Sequence, residues 1–118
     1  MDLNFLIEVI KNRKVNDDNK SYTSSLFRKG LQECCKKFGE ESVEVIIAAL
    51  EKKESNLKEE VADLMYHLLV LLEVSDVDFD EVLQILKNRM NQSGLDEKSS
   101  RFKTVSYTHL TLPTKRIV

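Results

Sequence analysis

The chain has 118 residues, of which 42% are hydrophobic and 32% charged, with 3 Gly, 1 Pro, 0 Trp and a formal net charge of -2. That length supports one domain with a modest core, and a composition poor in turn formers favours helices over a turn-rich β protein. The near-balanced charge excludes the broad basic field that draws proteins to nucleic acid or to an anionic membrane surface.

The first residues, Met1, Asp2, Leu3 and Asn4, lack the basic start of a secretory signal. Leu3, Leu6, Ile7 and Ile10 recur at helical spacing and predict a first helix over residues 3–13. Residues 15–20 are polar and read as a connection. Ser21, Tyr22, Thr23, Ser24 and Ser25 offer several N-cap candidates for a second helix. Its apolar marks run from Leu26 and Phe27 through Val45, Ile46 and Ile47 to Leu50, which predicts one long helix over residues 25–51. Gly30 and Gly39 fall inside it. Two glycines in one helix point to close approach of a backbone or ligand, or to a kink. Cys34 and Cys35 are adjacent on that helix and face different ways, so they do not bridge each other. A filler role fits them better than a reactive one, and a reduced, cytoplasmic setting is expected.

Residues 52–55 read as a turn with Ser55 as an N-cap candidate, followed by a third helix over residues 56–74. Leu57, Val61 and Leu64 make its first half amphipathic. Residues 64–72 are apolar nearly all round, apart from Tyr66 and His67. Such a helix is buried on most sides, yet the run is too short to span a bilayer. One small domain has difficulty covering it, so a homodimer is expected. Asp78, with Glu81 three residues on, resembles a capping box for a fourth helix marked by Phe79, Val82, Leu83, Leu86 and Met90. Residues 92–101 are polar. Residues 105–118 carry the only proline, Pro113, and no helical stripe, and residues 106–114 resemble translated sequencing-adapter read-through. The domain is therefore expected over residues 1–101, with a disordered, foreign-looking tail over 102–118.

Chemistry concentrates in two pairs of carboxylates. Glu41 and Glu44 lie three apart, as do Glu60 and Asp63. Residues three apart share a helix face, so two such helices packed antiparallel aim four carboxylates at one spot. Four charges in a small volume need raised pKa values or a cation between them. Oxygen-only ligation favours Mg²⁺ or Mn²⁺, and Mg²⁺ held by a few carboxylates usually handles a substrate phosphate. The spacing by itself is not distinctive, because Glu51 and Glu54 share it on what reads as a solvated face. Context separates the chosen pairs: uncharged residues 45–50 follow Glu44, and the longest apolar run follows Asp63. Carboxylates at the rim of a core are partly desolvated and need partners. Salt bridges to Lys37, Lys58 and their neighbours, in a non-enzymatic interaction module, are the alternative. His67, one turn beyond Asp63, can serve phosphate chemistry or orient a carboxylate, or be a buried, hydrogen-bonded histidine. Lys37 can meet phosphate or simply pair with Glu41 at i,i+4. Tyr22 and Thr23 can equally be capping and packing groups.

Three segments together resemble the phosphoribosyl-ATP pyrophosphohydrolases, all-α enzymes related to the MazG-type nucleotide pyrophosphohydrolases. They are Ser21-Tyr22-Thr23-Ser24-Ser25-Leu26-Phe27, Lys37-Phe38-Gly39-Glu40-Glu41-Ser42-Val43-Glu44, and the run from Glu60-Val61-Ala62-Asp63 through Tyr66-His67-Leu68-Leu69. The wider superfamily's Glu-Glu-x-x-Glu and Glu-x-x-Asp pattern is met by Glu40, Glu41, Glu44, Glu60 and Asp63. The Ser-Tyr-Thr start and the Tyr-His-Leu-Leu run single out the histidine-pathway branch. The resemblance covers residues 3–101. It departs before Ser21, where Asp17-Asp18-Asn19-Lys20 stands in place of the family's frequent proline and glycine.

The resemblance implies a four- to five-helix MazG-like bundle completed by dimerisation. It implies hydrolysis of phosphoribosyl-ATP to phosphoribosyl-AMP and pyrophosphate, the second step of histidine biosynthesis, with a MazG-like house-cleaning activity on nucleoside triphosphates as the rival. On this reading Glu41, Glu44, Glu60 and Asp63 hold Mg²⁺, or Mn²⁺. Glu40 acts on water, holds another ion or lies behind the ligands. Ser21, Tyr22, Thr23, Arg28, Lys29, Lys37 and His67 are the candidate substrate contacts.

Overall fold

The computed structural model describes residues 1–91. Among them are five helices in the order α1 (Leu3–Val15), α2 (Tyr22–Lys29), α3 (Leu31–Glu51), α4 (Glu54–Val74) and α5 (Phe79–Met90), and no strand. The fold is all-α, as expected. The chain divides into two compact units, Met1–Asp78 and Phe79–Val118, and only α5 is described in the second. The expected domain end at residue 101 and the tail after it lie outside the described residues.

Local chemistry sets each boundary. Asp2 caps α1 by accepting the Asn4 N–H at 3.2 Å, and Arg13 and Lys14 in its last turn suit the negative end of the helix. In the following loop the Lys20 N–H donates to Asp18 Oδ1 at 2.9 Å, so an aspartate shapes a turn that this sequence makes without proline or glycine. Ser21 then caps α2, accepting the Ser24 N–H at 3.1 Å.

The single helix predicted over residues 25–51 is two helices. Gly30 adopts φ 91 and ψ -172, a conformation that L side chains rarely take, and it ends α2 and begins α3 at once. Its N–H donates to Leu26 O at 3.0 Å and its carbonyl accepts the Cys34 N–H at 3.1 Å, so neither backbone group is lost at the break. Gly39 behaves differently. It lies inside α3, and a Cβ there would meet nothing within 4 Å, so no close approach requires it.

α3 ends at Lys52, which is left-handed at φ 59, and α4 starts at Glu54. The expected turn is thus shorter, and Ser55 lies inside α4 rather than capping it; the N-cap is Lys53, with no side-chain cap bond. A two-residue link folds two 21-residue helices into an antiparallel hairpin, the dominant interface of the first unit. α1 packs on α2 and α4, and α2 on α3.

The core comprises Ile10, Leu26, Cys34, Ala48, Leu69 and Val70, with Ser24 and His67 as its polar members. Ser24 is satisfied: its hydroxyl donates to Arg13 O at 2.9 Å and accepts the Asp18 N–H at 3.3 Å, fastening the end of α1 to α2. Cys34 is buried and Cys35 exposed, as adjacency on a helix requires. Burial first, then the neighbouring Cys35 and Glu33, pushes the Cys34 thiol up, away from the reactive thiolate. Lys14 ties α1 to the end of α4 through Glu73 O at 3.0 Å and Asp76 Oδ1 at 2.9 Å. In the second unit α5 begins directly after Asp78, with Asp80 and Glu81 in its first turn and Lys87 and Arg89 in its last. Among the described residues no helix is long and apolar enough to cross a membrane.

Candidate functional site

The hairpin register brings the two acidic pairs together. Glu41 and Asp63 each stand eleven residues from Lys52, and Glu44 and Glu60 each stand eight. In an antiparallel hairpin that turns at Lys52, such positions lie at the same height on the two helices. One carboxylate oxygen from each of Glu41, Glu60 and Asp63 falls within 4.8 Å of the others. Glu44 stands close by, since its charge acts on both Glu41 and Glu60.

These carboxylates are crowded and short of cations. Burial, then Asp63, Glu44 and Glu40, pushes the Glu41 carboxyl above its ordinary range, with only Lys37 opposing. Burial, then Glu44, Asp63 and Glu41, does the same to Glu60. None of the four forms a salt bridge among the described residues: Lys37 pairs with Glu40 at 3.6 Å and Lys58 with Glu54 at 3.1 Å. The ion-paired module raised as an alternative is therefore not how this cluster is neutralised. The expected Lys37–Glu41 pairing is likewise replaced by an i,i+3 contact with Glu40, which also faces outward and is exposed. All-oxygen, anionic donors with no protein cation fit a small hard divalent ion.

A second group adjoins the first. Thr23 and Tyr66 share a hydrogen bond between their hydroxyls. Tyr22 stacks on Tyr66 at a centroid distance of 6.4 Å and 28°, and meets His67 edge-on at 6.1 Å. Tyr66 and His67 are themselves edge-on at 4.9 Å. His67 is buried, and its Nδ1 has no hydrogen-bond partner, so it is not the satisfied core histidine of the simpler expectation. Burial lowers its pKa, while Asp63 and Glu40 oppose that shift and Lys37 adds to it. Lys37 is held above its usual value chiefly by Glu40 and then by Tyr22.

Other candidates lie elsewhere. Ser21 is engaged as the α2 cap. Arg28 pairs with Asp17 and lines a cavity of about 250 Å³ with Arg13, Lys14, Phe27 and Val74. None of the four carboxylates lines that cavity. Lys29, the last residue of α2, is exposed. Tyr66 was not among the candidate contacts. Its partner Thr23 is 43 residues away, and the only signal linking them is that both belong to segments of the family resemblance.

The chain matches the family described as phosphoribosyl-ATP pyrophosphohydrolase over residues 3–90, from the start of α1 to the end of α5. The chain belongs to the phosphoribosyl-ATP pyrophosphohydrolase family. It is 47% identical over 103 residues to the phosphoribosyl-ATP pyrophosphatase of Roseobacter denitrificans, covering 87% of this chain and 98% of that protein. It is 46% identical over 99 residues to the Rhodobacter capsulatus phosphoribosyl-ATP pyrophosphatase, covering 84% and 96%. It is 47% identical over 96 residues to phosphoribosyl-ATP pyrophosphatase 1 of Bradyrhizobium diazoefficiens, covering 81% and 91%. Both the acidic and the aromatic groups fall inside the part matched to the phosphoribosyl-ATP pyrophosphohydrolase family.

Proposed function

We propose that this chain hydrolyses phosphoribosyl-ATP to phosphoribosyl-AMP and pyrophosphate, the second step of histidine biosynthesis. The observation that carries the reading is convergence. The Ser21-Tyr22-Thr23 and Tyr66-His67 segments, by which the chain resembles this branch rather than its MazG-like relatives, touch each other, and Tyr66 and His67 lie one helical turn beyond Asp63.

Glu41, Glu44, Glu60 and Asp63 would hold Mg²⁺, with Mn²⁺ as a substitute. When bound, such an ion neutralises triphosphate charge and makes a water easier to deprotonate. Glu40, exposed and next to Glu41 in the chain, would orient a water or receive its proton. Lys37, freed from a loose 3.6 Å pairing with Glu40, meets the phosphates. His67 stays neutral near pH 7, because burial lowers its pKa, and offers a hydrogen bond without adding charge. Tyr22 and Thr23 contact the substrate beyond the phosphates, while Ser21 caps α2 and Arg28 stays with Asp17, away from the carboxylates. The working unit is a cytoplasmic homodimer of a domain over residues 1–101.

The test is product analysis with phosphoribosyl-ATP beside ATP. The expected outcome is pyrophosphate from cleavage between the α and β phosphates, a much higher kcat/KM on phosphoribosyl-ATP, and no turnover after chelation. Equal efficiency on ATP would assign a general nucleoside triphosphate pyrophosphohydrolase instead. Release of orthophosphate would reject both.

A further inference from the structure

We infer that the open face of the Tyr22 ring is a stacking platform for the purine base of a nucleotide whose phosphates lie at the carboxylates. The inference rests on the proposed activity only for the direction of the substrate, and it assigns a role that the acidic set cannot supply.

Four observations support it. First, Tyr22 is 52% exposed although it is a large aromatic side chain at the first position of α2. Second, the ring is braced from within the fold. Tyr66 lies against it at 28°, His67 meets it edge-on at 89°, and Tyr66 is in turn tethered to Thr23 on α2. A ring held by two aromatic neighbours and a cross-helix hydrogen bond loses little further freedom on binding, which favours stacking. Third, the spacing along α4 suits a nucleotide. Tyr66 and His67 are three and four residues beyond Asp63, a rise of about 5 to 6 Å at 1.5 Å per residue. The aromatic group therefore begins about one helical turn from the acidic set, and Tyr22 extends it by a further 6.4 Å between ring centroids, on the side where the base of a nucleotide with its phosphates at the carboxylates would lie. Fourth, Lys37, whose ammonium is 3.6 Å from Glu40, offers a cation on α3 close to the acidic set for a phosphate. Stacking is tolerant of base identity, because every base has a π-face. The platform therefore binds the purine, and contacts outside it must read the added phosphoribosyl arm.

The experiment compares the parent chain with Tyr22→Phe, Tyr22→Leu and Tyr22→Ala. Calorimetry measures binding of AMP and of base-free tripolyphosphate in the presence of Mg²⁺, and KM and kcat are measured on phosphoribosyl-ATP. Tyr22→Leu and Tyr22→Ala are expected to weaken AMP binding and raise KM by about tenfold, the scale of one stacked base, with little change in kcat. Tripolyphosphate binding stays at the parent level, and Tyr22→Phe, which keeps the ring, retains AMP binding that Tyr22→Leu loses. Tyr22→Leu keeps apolar bulk against Tyr66, so the inference stays decidable if Tyr22→Ala fails to fold. The parent chain supplies an independent readout. It has 0 Trp and 3 Tyr, so AMP stacked on Tyr22 should quench tyrosine emission, whereas tripolyphosphate should not. Equal loss of AMP and tripolyphosphate affinity in Tyr22→Leu would overturn the inference, as would AMP affinity unchanged by removing the ring. If phosphoribosyl-ATP is not cleaved but the AMP arm behaves as expected, the proposed activity fails and the platform stands.

Discussion

Asp63 probes the acidic set with the least disturbance, because it is exposed and replacing it with asparagine keeps its shape. Asp63→Asn should lower turnover by at least about 100-fold, the scale of losing one group that stabilises developing charge. Circular dichroism on the same sample should be unchanged, and near-parent turnover would make Asp63 a bystander. The raised carboxyls of Glu41 and Glu60 add a pH signature. Above the ordinary carboxylate range the native state holds more protons than the unfolded chain, so these groups make stability fall as pH rises toward neutrality. His67 has the opposite sign. Its lowered native pKa means that stability falls as pH drops below about 6.5, where the unfolded chain binds the proton first. Saturating Mg²⁺ or Mn²⁺ should remove the carboxylate effect, leave the His67 effect, and raise the melting temperature near pH 7, with EDTA reversing the rise. A melting temperature indifferent to both cations would reject the metal reading. The two acidic pairs were legible in the sequence because i,i+3 spacing fixes a helix face whatever packs against it. The aromatic group was not. Tyr22, Thr23, Tyr66 and His67 meet only through packing of α2 against the α3–α4 hairpin, and no local periodicity encodes a contact across 43 residues.

Gly30 and Gly39 look alike in the sequence but have opposite roles in the elements that contain them. Both interrupt one continuous apolar pattern, which is why a single helix over residues 25–51 is the natural reading. Periodicity reports which face is apolar. It does not report a single residue with positive φ, and at Gly30 one such residue redirects the chain while the stripe continues beyond it. Gly30→Ala should cost about 1 to 3 kcal/mol, because alanine must be held in a sparsely populated backbone region even though its Cβ finds open space. Gly39→Ala should gain about 0.5 to 1 kcal/mol, since the site is helical, exposed and uncrowded. Chemical denaturation of the two variants beside the parent measures both signs. Equal effects would contradict the break at Gly30. The end of α3 was legible to within a residue or two, but the link was not. Lys52 takes a left-handed conformation normally left to Gly or Asn, and Lys53 caps α4 without a side-chain bond, so neither residue carries the usual signal.

At the scale of the whole molecule, the family match ends at residue 90 and no apolar stripe continues into the last residues. Removing residues 104–118 should therefore leave turnover and melting temperature nearly unchanged; a drop of several degrees would show that they pack. For the homodimer proposed above, α3 offers the surface. Val43, Ile46, Ile47 and Leu50 lie at i, i+3, i+4 and i+7, and are 53%, 57%, 45% and 77% exposed. They occupy the side of α3 opposite the buried Cys34 and Ala48, and so face away from the hairpin seam and from Glu41. A contiguous apolar helix stripe of this kind marks an interaction surface, and the same stripe on a second copy is a self-complementary partner under twofold symmetry. Pairing through it would complete the burial that the first unit leaves unfinished without covering the carboxylates. Light scattering at micromolar concentration should report a dimer. Ile46→Glu with Leu50→Glu, which places a charge on each turn of the stripe, should abolish it. A parent chain that is monomeric on dilution and stays soluble would reject the dimer, and a dimer that survives both charges would move the interface to another face.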